Sequence, residues 1–320
     1  GFRAGDHEEL LAHGYGSHEG IVTTSQLERL MHAEGPTGGD IEAHAGKIEN
    51  AAILLCADMR WGKNDYCSRY CCISGTKAAK ELKERLPNAN VFVLYENLRT
   101  IGVYEDLYKK AQSMGVRFIQ YSFDEMPQVS YSNGLSLKVK EQLLGIELDI
   151  PLDLLVLSEG GKPVEGSDHL AQRLRIPCST EGFFQEAHVK LAPVDTSNEG
   201  IYIAGGAQYP KDVADSVSQG SAAAARAMTI LSRESLEVGG VVAHVTPEDC
   251  AACLTCVRMC PYGAISMNQD NLAEVNIATC RGCGICTTEC PAKAIVLRHF
   301  EDDQILPMVD EYLQEVSHGS

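Results

Sequence analysis

Residues 250–291 read CAACLTCVRMCPYGAISMNQDNLAEVNIATCRGCGICTTECP, and this stretch decides the fold of the C-terminal part of the chain. It contains the pattern Cys-x2-Cys-x2-Cys-x3-Cys-Pro twice, first from Cys250 and again from Cys280. The pattern is typical of chains that hold two 4Fe–4S clusters, in which the fourth cysteine of each copy ligates the other cluster. The sequence therefore predicts two ligand sets, which are Cys250, Cys253, Cys256 and Cys290 for one cluster, and Cys280, Cys283, Cys286 and Cys260 for the other.

A pair of zinc sites is the alternative for this stretch, because Cys-x2-Cys pairs are also common zinc ligands. Zinc sites do not explain the third cysteine of each triplet, the Cys-Pro ending or the duplication. We therefore expect a small α+β ferredoxin domain with two clusters over residues 238–300, entered through a hinge at residues 238–241. An acidic, helical tail is expected over residues 301–320.

Upstream of this domain, buried-strand patterns alternate with helical patterns. Strands are predicted at residues 51–56, 91–95 and 116–121, with helices at residues 73–86 and 104–114 between them. This β-α-β-α-β order is the signature of a Rossmann-like α/β fold with a parallel, doubly wound sheet. The further predicted elements are a helix at 24–31, a β-hairpin at 129–150, strands at 154–157 and 201–204, and a helix at 212–231.

Composition excludes several classes of protein. Lys and Arg number 27 and Asp and Glu 44, and a net charge of −17 repels phosphate backbones, so no nucleic-acid partner is expected. No apolar run approaches the ~20 residues that span a bilayer, and no signal peptide opens the chain. Eight of the 13 cysteines fall within residues 250–290, which indicates cluster ligation in a reducing, cytoplasmic compartment. The chain begins Gly1-Phe2-Arg3 without a methionine, which indicates a fragment, a processed chain or a partly known sequence.

A second group of cysteines follows the first predicted strand of the α/β unit. Cys56, Cys67, Cys71 and Cys72 lie in the loop where a nucleotide-binding domain would carry its glycine-rich phosphate loop. That loop contains no GxGxxG, so NAD binding is not expected there. Four thiolates are the number that a 4Fe–4S cluster needs. A redox disulfide between Cys67 and Cys71, or buried thiols, are the alternatives.

Residues 199–226, EGIYIAGGAQYPKDVADSVSQGSAAAAR, are similar to the second FAD-binding motif of flavoproteins with two dinucleotide domains. Such a strand–glycine–helix turn binds anions through free amides at the helix N-terminus. The candidate FAD contacts are Gly205, Gly206, Ala207, Gln208, Lys211, Asp212, Val213 and Gln219. Those flavoproteins usually have Asp where this chain has Gly206, and an ordinary strand–turn–helix corner is the alternative. The GxGxxG of the other FAD half-site is absent, so a missing segment or another chain would supply it.

These three features, in this order, resemble the A subunit of heterodisulfide reductase, an iron–sulfur flavoprotein. The likeness covers nearly the whole chain and is expected to represent the C-terminal two-thirds of that protein or a split form of it. The segments that carry it, besides both cysteine motifs, are SQLERL at 25–30, GPTGG at 35–39, YCSRYCC at 66–72, EGFFQEAHVKLAPVDT at 181–196 and PKDVADSVSQGSAAAA at 210–225.

The resemblance implies a thioredoxin-reductase-like FAD-binding domain over residues 1–237, incomplete and with the cysteine loop 56–72 inside it. It implies bound FAD and three 4Fe–4S clusters, the third on Cys56, Cys67, Cys71 and Cys72. In that family a lysine five residues beyond the Cys-Cys pair lies near the flavin N5, and Lys77 matches it. Glu28 is also expected to face the flavin. An ordinary solvated helix lysine is the alternative for Lys77.

In that family FAD takes two electrons and passes them singly to a low-potential acceptor such as ferredoxin and to a disulfide-type acceptor. The resemblance therefore implies an electron-bifurcating oxidoreductase component of methanogenesis. Implied partners are the B and C subunits of the reductase, a donor subunit linked to hydrogenase or formate dehydrogenase, a chain or segment completing the FAD site, and ferredoxin, in a homodimer of heteromers. Two alternatives are a relay with clusters but no functional flavin, and a thiol–disulfide oxidoreductase using Cys67 and Cys71.

Overall fold

The computed structural model describes residues 1–5, 8–132, 134–235 and 240–318, without the side chains of residues 315–318. Several strands are only three residues long, and the longest have six. The strands are β1 (Phe2–Ala4), β2 (Ile21–Thr23), β3 (Asn50–Leu54), β4 (Asn90–Tyr95), β5 (Arg117–Gln120), β6 (Gln128–Ser130), β7 (Ser136–Glu141), β8 (Ile146–Pro151), β9 (Leu154–Leu157), β10 (Gly161–Pro163), β11 (Ala243–Val245), β12 (Ile265–Met267), β13 (Ala273–Val275) and β14 (Ile295–Leu297).

Helices connect and flank these strands. They are α1 (Thr24–Met31), α2 (Glu42–Ala45), α3 (Cys71–Arg85), α4 (Glu105–Ser113), α5 (Ser167–Leu174), α6 (Val213–Leu231), α7 (Thr255–Met259), α8 (Ile285–Glu289) and α9 (Asp302–His318). Short 3-10 turns form at Glu9–His13, Gly102–Tyr104, Gly205–Ala207 and Pro247–Asp249. Within the described residues, no helix is long and apolar enough to cross a membrane.

The chain divides into two compact units. The first comprises residues 1–172, 176–197 and 202–224, and the second comprises residues 173–175, 198–201 and 225–320. The predicted hinge at residues 238–241 lies partly outside the described residues. The domain boundaries drawn from the sequence, after residues 237 and 300, stay a prediction.

A five-stranded sheet forms the centre of the first unit. Its order is β2-β9-β3-β4-β5, and every neighbouring pair is parallel. Helix α3 connects β3 to β4, and α4 connects β4 to β5. The α/β fold with a parallel sheet is thus confirmed, but the prediction that the sheet is doubly wound was wrong, because α1, α3 and α4 pack on one face and the strands β6, β7 and β8 cover the other. Because ligands of such sheets bind beyond the carboxyl ends of the strands, the loops after β3, β4 and β9 are where a site is expected.

The alternation of side chains along β3 builds a core on each face of this sheet. Ile53 packs with Leu27 of α1 and Leu82 of α3 on one face. Leu54 packs with Leu137 of β7 on the other, where β6, β7 and β8 form an antiparallel sheet. All of these side chains are fully buried, and each contributes about 1.5–3 kcal/mol by leaving water. The predicted hairpin at 129–150 is therefore part of a three-stranded sheet.

The second unit contains two short antiparallel pairs, β11 with β14 and β12 with β13. Helices α7 and α8 follow the second cysteine of their respective motifs and pack against each other. Six of the eight motif cysteines, all except the exposed Cys253 and Cys283, belong to or pack against this unit's apolar core, together with Ala243, Ile265 and Ile295. A core made of thiols and small apolar residues is what the duplicated cysteine motif predicts.

The sequence prediction was wrong at two elements beside the candidate site. Residues 201–204 form no strand, and only Tyr202 makes an isolated bridge, with Asp195. Cys71 and Cys72 lie in the first turn of α3 and not in a loop before it. Ile203 is nevertheless buried, so the apolar pattern at 201–204 reflected burial rather than strand pairing.

Candidate functional site

The four cysteines predicted for each C-terminal cluster line one pocket. The members of the first set are Cys250, Cys253, Cys256 and Cys290, and those of the second are Cys260, Cys280, Cys283 and Cys286. Cys260 caps the C-terminal end of α7, and Cys290 caps that of α8. A five-residue helix rises about 7.5 Å, which carries each fourth cysteine away from its own triplet and toward the other one.

Backbone amides and burial shape the second pocket. The Ala243 amide donates to Cys280 Sγ over 3.4 Å, and the Ala264 amide donates to Cys260 Sγ over 3.3 Å. Burial, followed by the neighbouring charges of Cys280, Cys283 and Cys260, raises the pKa of Cys286 to about 11. Cys286 is therefore a thiol at neutral pH in the chain alone, and it would lose its proton on binding a metal.

Four thiols line each pocket, which is the number of ligands that one 4Fe–4S cluster takes. Among the residues that the structure describes, no three His, Cys, Asp or Glu side chains converge on a point that could hold one metal ion. In a cubane each thiolate binds its own iron atom.

The second cysteine group lies at the carboxyl edge of the parallel sheet. Cys56 follows β3, and its φ of 57° is a left-handed conformation that costs a non-glycine residue about 1–2 kcal/mol. The Trp61 indole N–H donates to the Cys56 carbonyl over 2.8 Å and holds this turn. Cys71 and Cys72 begin α3, and all three cysteines are buried. Strand order thus brings the end of β3 and the start of α3 together.

The thiols of this group perturb one another. Hydrogen bonds with Cys56 and then Cys72 raise the pKa of Cys71 well above its usual value. The hydrogen bond from Cys71 is the largest influence on Cys72 and, with the backbone amide and charge of Arg99, lowers the pKa of Cys72 to about 7. Cys72 is thus the more readily ionised thiol of the pair, and a metal ligand has to be ionised.

Cys67, the remaining member of the group, lines a neighbouring cleft of about 570 Å³. Its sulfur accepts a hydrogen bond from the Arg69 amide over 3.3 Å. The cleft is also lined by the cationic side chains of Arg69, Arg99 and Lys211, by the carboxylates of Asp212 and Asp215, and by the rings of Tyr104 and Tyr209. Cations and a ring are what a phosphate-bearing, planar cofactor needs.

The two residues predicted to lie near a flavin are partners in this structure. Lys77 Nζ lies 3.3 Å from Glu28 Oε1, which links α3 to α1. Thr23 fixes the start of α1 through a capping box, since its hydroxyl accepts from the Gln26 amide and its own amide donates to the Gln26 side chain. The capping box therefore sets the direction in which α1 presents Glu28.

Four of the eight predicted FAD contacts form one hydrogen-bonded network. Gln219 Oε1 accepts from the Gly205 amide over 2.9 Å and from Lys211 Nζ over 2.6 Å. Lys211 also donates to Gln208, whose Oε1 accepts from Gln219 Nε2 over 3.1 Å. Burial, aided by nearby Arg69, lowers the pKa of Lys211 to about 8. The network anchors the turn, and the Gly205 amide is already hydrogen-bonded within the chain.

The other four predicted contacts lie around this network. Gly206 and Ala207 continue the 3-10 turn, Asp212 Oδ1 accepts from the Asp215 amide over 2.8 Å at the start of α6, and Val213 is exposed. A Cβ at position 206 would come 2.4 Å from Phe2 Cδ1. The missing Asp at this position therefore has a local steric reason in the chain's own packing.

Sequence reasoning missed several residues beside the site. Arg69, Arg99 and Tyr209 line the cleft, and closeness in the sequence to Cys67 and to Gln208 hinted at Arg69 and Tyr209 but not at Arg99. Asp58, two residues after Cys56, is fully buried, and burial raises its pKa to about 7. Its position after a strand was visible in the sequence, but its burial was not.

Comparisons with known proteins agree with the C-terminal cysteine region and identify relatives of the chain. Residues 249–294 match the family described as the 4Fe-4S dicluster domain. The second iron–sulfur A subunit of CoB–CoM heterodisulfide reductase from Methanopyrus kandleri is 39% identical over 273 residues. This chain is homologous to the A subunit of heterodisulfide reductase. The match to that Methanopyrus protein covers 83% of this chain and 42% of its relative.

Other heterodisulfide reductase A subunits match over nearly the whole chain. The A subunit of the H2:CoB-CoM heterodisulfide,ferredoxin reductase of Methanothermobacter thermautotrophicus is 37% identical over 98% of this chain and 48% of that protein. The A subunit of the ferredoxin:CoB-CoM heterodisulfide reductase of Methanosarcina mazei is 35% identical over 97% of this chain and 39% of that protein. This chain thus spans about half or less of the length of these A subunits.

Among solved structures, the thioredoxin reductase of T. acidophilum is 16% identical with a TM-score of 0.44, over 73% of this chain and 64% of that chain. The enzyme from Lactococcus lactis is 16% identical with a TM-score of 0.42, over 72% of this chain and 63% of that chain. The ferredoxin part of the predicted fold is confirmed by the dicluster family, and the α/β part by the sheet described above.

Proposed function

We propose that this chain is an iron–sulfur and flavin-binding part of an electron-transferring oxidoreductase, working as the A subunit of heterodisulfide reductase does. The observation that carries the proposal is the crossed arrangement of the C-terminal cysteines, in which each pocket takes three thiols from one motif and one from the other. That arrangement is characteristic of a two-cluster ferredoxin and has no use in a thiol–disulfide enzyme. The homology to A subunits supports the same function.

A third 4Fe–4S cluster is proposed on Cys56, Cys67, Cys71 and Cys72. Three of these thiols are buried in mutual contact at the end of β3, and Cys67 lies at the adjoining cleft. The strained φ of Cys56 supports a functional role, because a conformation of this cost persists where surrounding structure enforces it. This set would hold the cluster between the flavin and the rest of the electron path.

FAD is proposed to bind with its charged part against the cleft that Arg69, Arg99 and Lys211 line. When bound, FAD converts between two-electron and one-electron transfer, which is the chemistry that bifurcation needs. This chain's own contribution is to neutralise phosphate charge, to place Tyr209 beside the cofactor and to keep Cys67 within the same cleft. Lys77 and Glu28 are proposed to set the electrostatic potential near the flavin ring.

The partners are proposed from the names of the relatives. The relative from Methanothermobacter thermautotrophicus is named for hydrogen, CoB–CoM heterodisulfide and ferredoxin, and that of Methanosarcina mazei for ferredoxin and the same heterodisulfide. We propose that this chain works in a similar complex, with B- and C-like subunits, a donor subunit linked to hydrogenase or formate dehydrogenase, ferredoxin, and a chain or segment that completes the FAD site. A homodimer of such heteromers is proposed as the assembly.

A second candidate function is a relay that carries clusters but no flavin. It is favoured by one observation, namely that the Gly205 amide and Lys211, two expected FAD contacts, already bond to Gln219. FAD binding would require these groups to exchange partners. The two functions differ in the flavin content of the isolated protein.

Metal and flavin counts on the anaerobically isolated native complex, less those of its other subunits, test both functions. The proposed function expects about twelve irons and about one FAD for each copy of this chain, four irons for each of three clusters. About twelve irons without flavin would support the relay, and about eight irons would remove the cluster on Cys56. Fewer than about eight would overturn the proposal as a whole.

A further inference from the structure

The two cysteine motifs place different side chains at one matched position. Thr255 stands between Cys253 and Cys256, and Ile285 stands between Cys283 and Cys286. Each begins a five-residue helix, α7 or α8, and each follows a left-handed residue. The backbone is therefore the same at both positions, so the two side chains point from equivalent places toward their own cluster pocket.

Only one of the two side chains can reach a ligand sulfur with a polar hydrogen. In this structure the Cys253 thiol donates to Thr255 Oγ1 over 3.4 Å, and once Cys253 is a thiolate ligand without a proton, the Thr255 hydroxyl becomes the donor across the same contact. Ile285 has no polar atom with which to do the same. Cys253 is exposed, whereas Cys256 and Cys290 of the same set are buried.

We propose that the Thr255 hydroxyl raises the reduction potential of the cluster on Cys250, Cys253, Cys256 and Cys290. Reduction adds one electron to the cluster and makes its sulfurs more negative, while the hydroxyl keeps its proton. A donor that points at a ligand sulfur stabilises the more negative state, and hydrogen bonds to sulfur are a principal control of cluster potentials. Thr255 thus acts on the cluster through the sulfur of Cys253 and is a positioning residue. The inference rests on the proposed ligation of this cluster.

The neighbouring groups do not supply the same control. The sulfurs of the other set receive backbone amides, from Ala243 and Ala264, which substitution of a side chain leaves in place. Arg281 lines that second pocket, but its guanidinium lies 2.6 Å from Glu199 and is largely neutralised. Exposed charges elsewhere are screened by water and salt. The Thr255 hydroxyl is therefore a side-chain hydrogen-bond donor that affects the potential of one cluster and not of the other.

Thr255→Val in the full chain, within its native complex, removes the hydroxyl and keeps the shape. We expect an anaerobic redox titration followed by electron paramagnetic resonance to show one cluster transition moved to lower potential. We expect the ratio of oxidised to reduced cluster at a fixed potential to change threefold to tenfold. For a one-electron couple a tenfold change corresponds to a shift of about 59 mV. Thr255→Ser keeps a hydroxyl and should restore most of the wild-type potential.

Two further variants complete the test. Ile285→Thr adds the hydroxyl to the other motif and should raise a transition different from the one that Thr255→Val lowers. Thr288→Val is the matched control, because the Thr288 hydroxyl donates to the Gly284 carbonyl over 3.3 Å and to no ligand sulfur, so no transition should move.

An unchanged potential in a Thr255→Val protein with full iron content overturns the inference and leaves the cluster assignment intact. A wild-type complex that lacks these irons overturns the assignment itself.

Discussion

Lys77 Nζ lies 3.3 Å from Glu28 Oε1, so the two residues expected to influence a flavin form an ion pair between α3 and α1. Their side chains are 50% and 46% exposed, and exposed pairs of this kind add about 0–1 kcal/mol to folding stability. Stability alone therefore gives little reason for the pair. Its opposite charges can instead act on a nearby flavin in opposite directions.

Lys77→Met is expected to lower the flavin reduction potential in the native complex, and Glu28→Gln to raise it. A unit charge about 10 Å away contributes about 1.7 kcal/mol at an effective dielectric constant near 20, which is more than a tenfold change in the reduction equilibrium. Spectroscopic redox titration of the bound flavin measures both. Lys80→Met is the control, because Lys80 pairs with Glu84 at 2.8 Å on the same helix. Equal effects of Lys77→Met and Lys80→Met would refute the flavin role.

Local patterns in the sequence predicted most of the fold, and long-range contacts explain what they missed. The parallel sheet and helices α1, α3, α4 and α6 follow from hydrophobic periodicity, which is a property of neighbouring residues. Residues 201–204 are as apolar as a strand but have no partner strand, and partnership depends on the whole fold. The same limit applies to Arg99, which reaches the cleft from a part of the chain distant from both Cys67 and Lys211.

The crossed cysteine sets give a prediction that separates them from two independent sites. Cys290→Ser and Cys250→Ser should each abolish the same cluster signal, although these residues lie in different motifs, because both line one pocket. Cys260→Ser should abolish the other signal, since Cys260 lines the second pocket. Electron paramagnetic resonance of the reduced variants, with iron analysis showing a loss of about four irons each, is the measurement.

Cys178→Ser serves as the control, because Cys178 belongs to neither cysteine set and lies far from both motifs in the sequence. Its iron content and spectrum should equal those of the wild type. Loss of the same signal in Cys260→Ser and Cys250→Ser would show that the cysteines are not crossed between two separate clusters.

Gly206→Asp, which introduces the residue common in related flavin motifs, is expected to destabilise this chain. A Cβ there would come 2.4 Å from Phe2 Cδ1, and overpacking of this kind typically costs about 1–3 kcal/mol. Phe2→Ala combined with Gly206→Asp should recover part of the loss, because the smaller side chain frees the space. Chemical denaturation of the anaerobic protein gives the free energies of unfolding.

Gly220→Ala in α6 is the matched glycine control. A Cβ at position 220 meets nothing within 4 Å, and alanine is favoured over glycine inside a helix by up to about 1 kcal/mol. This variant should therefore be as stable as the wild type or more stable. If Gly206→Asp behaved like Gly220→Ala, the close approach of Phe2 would not be the reason for the glycine.

Lys211 makes folding stability depend on pH. Burial lowers its pKa in the folded chain to about 8, whereas an unfolded lysine titrates near 10.4. Between these values the unfolded chain binds more protons, so stability rises with pH across that window. Below pH 8 both states carry the charge, and the folded state bears the cost of burying it, on the order of 3 kcal/mol at most. Lys211→Met should remove this rise between about pH 8 and pH 10.

Unfolding by denaturant at several pH values, under anaerobic conditions, measures the difference between wild type and variant. Lys190→Met is the control, because Lys190 is exposed, and its replacement should leave the pH profile unchanged. Inorganic pyrophosphate adds a second arm, since an anion beside Arg69, Arg99 and Lys211 favours the charged lysine and should flatten the rise in the wild type. A wild-type profile that stays steep at saturating pyrophosphate would contradict anion binding in this cleft while leaving the buried lysine in place.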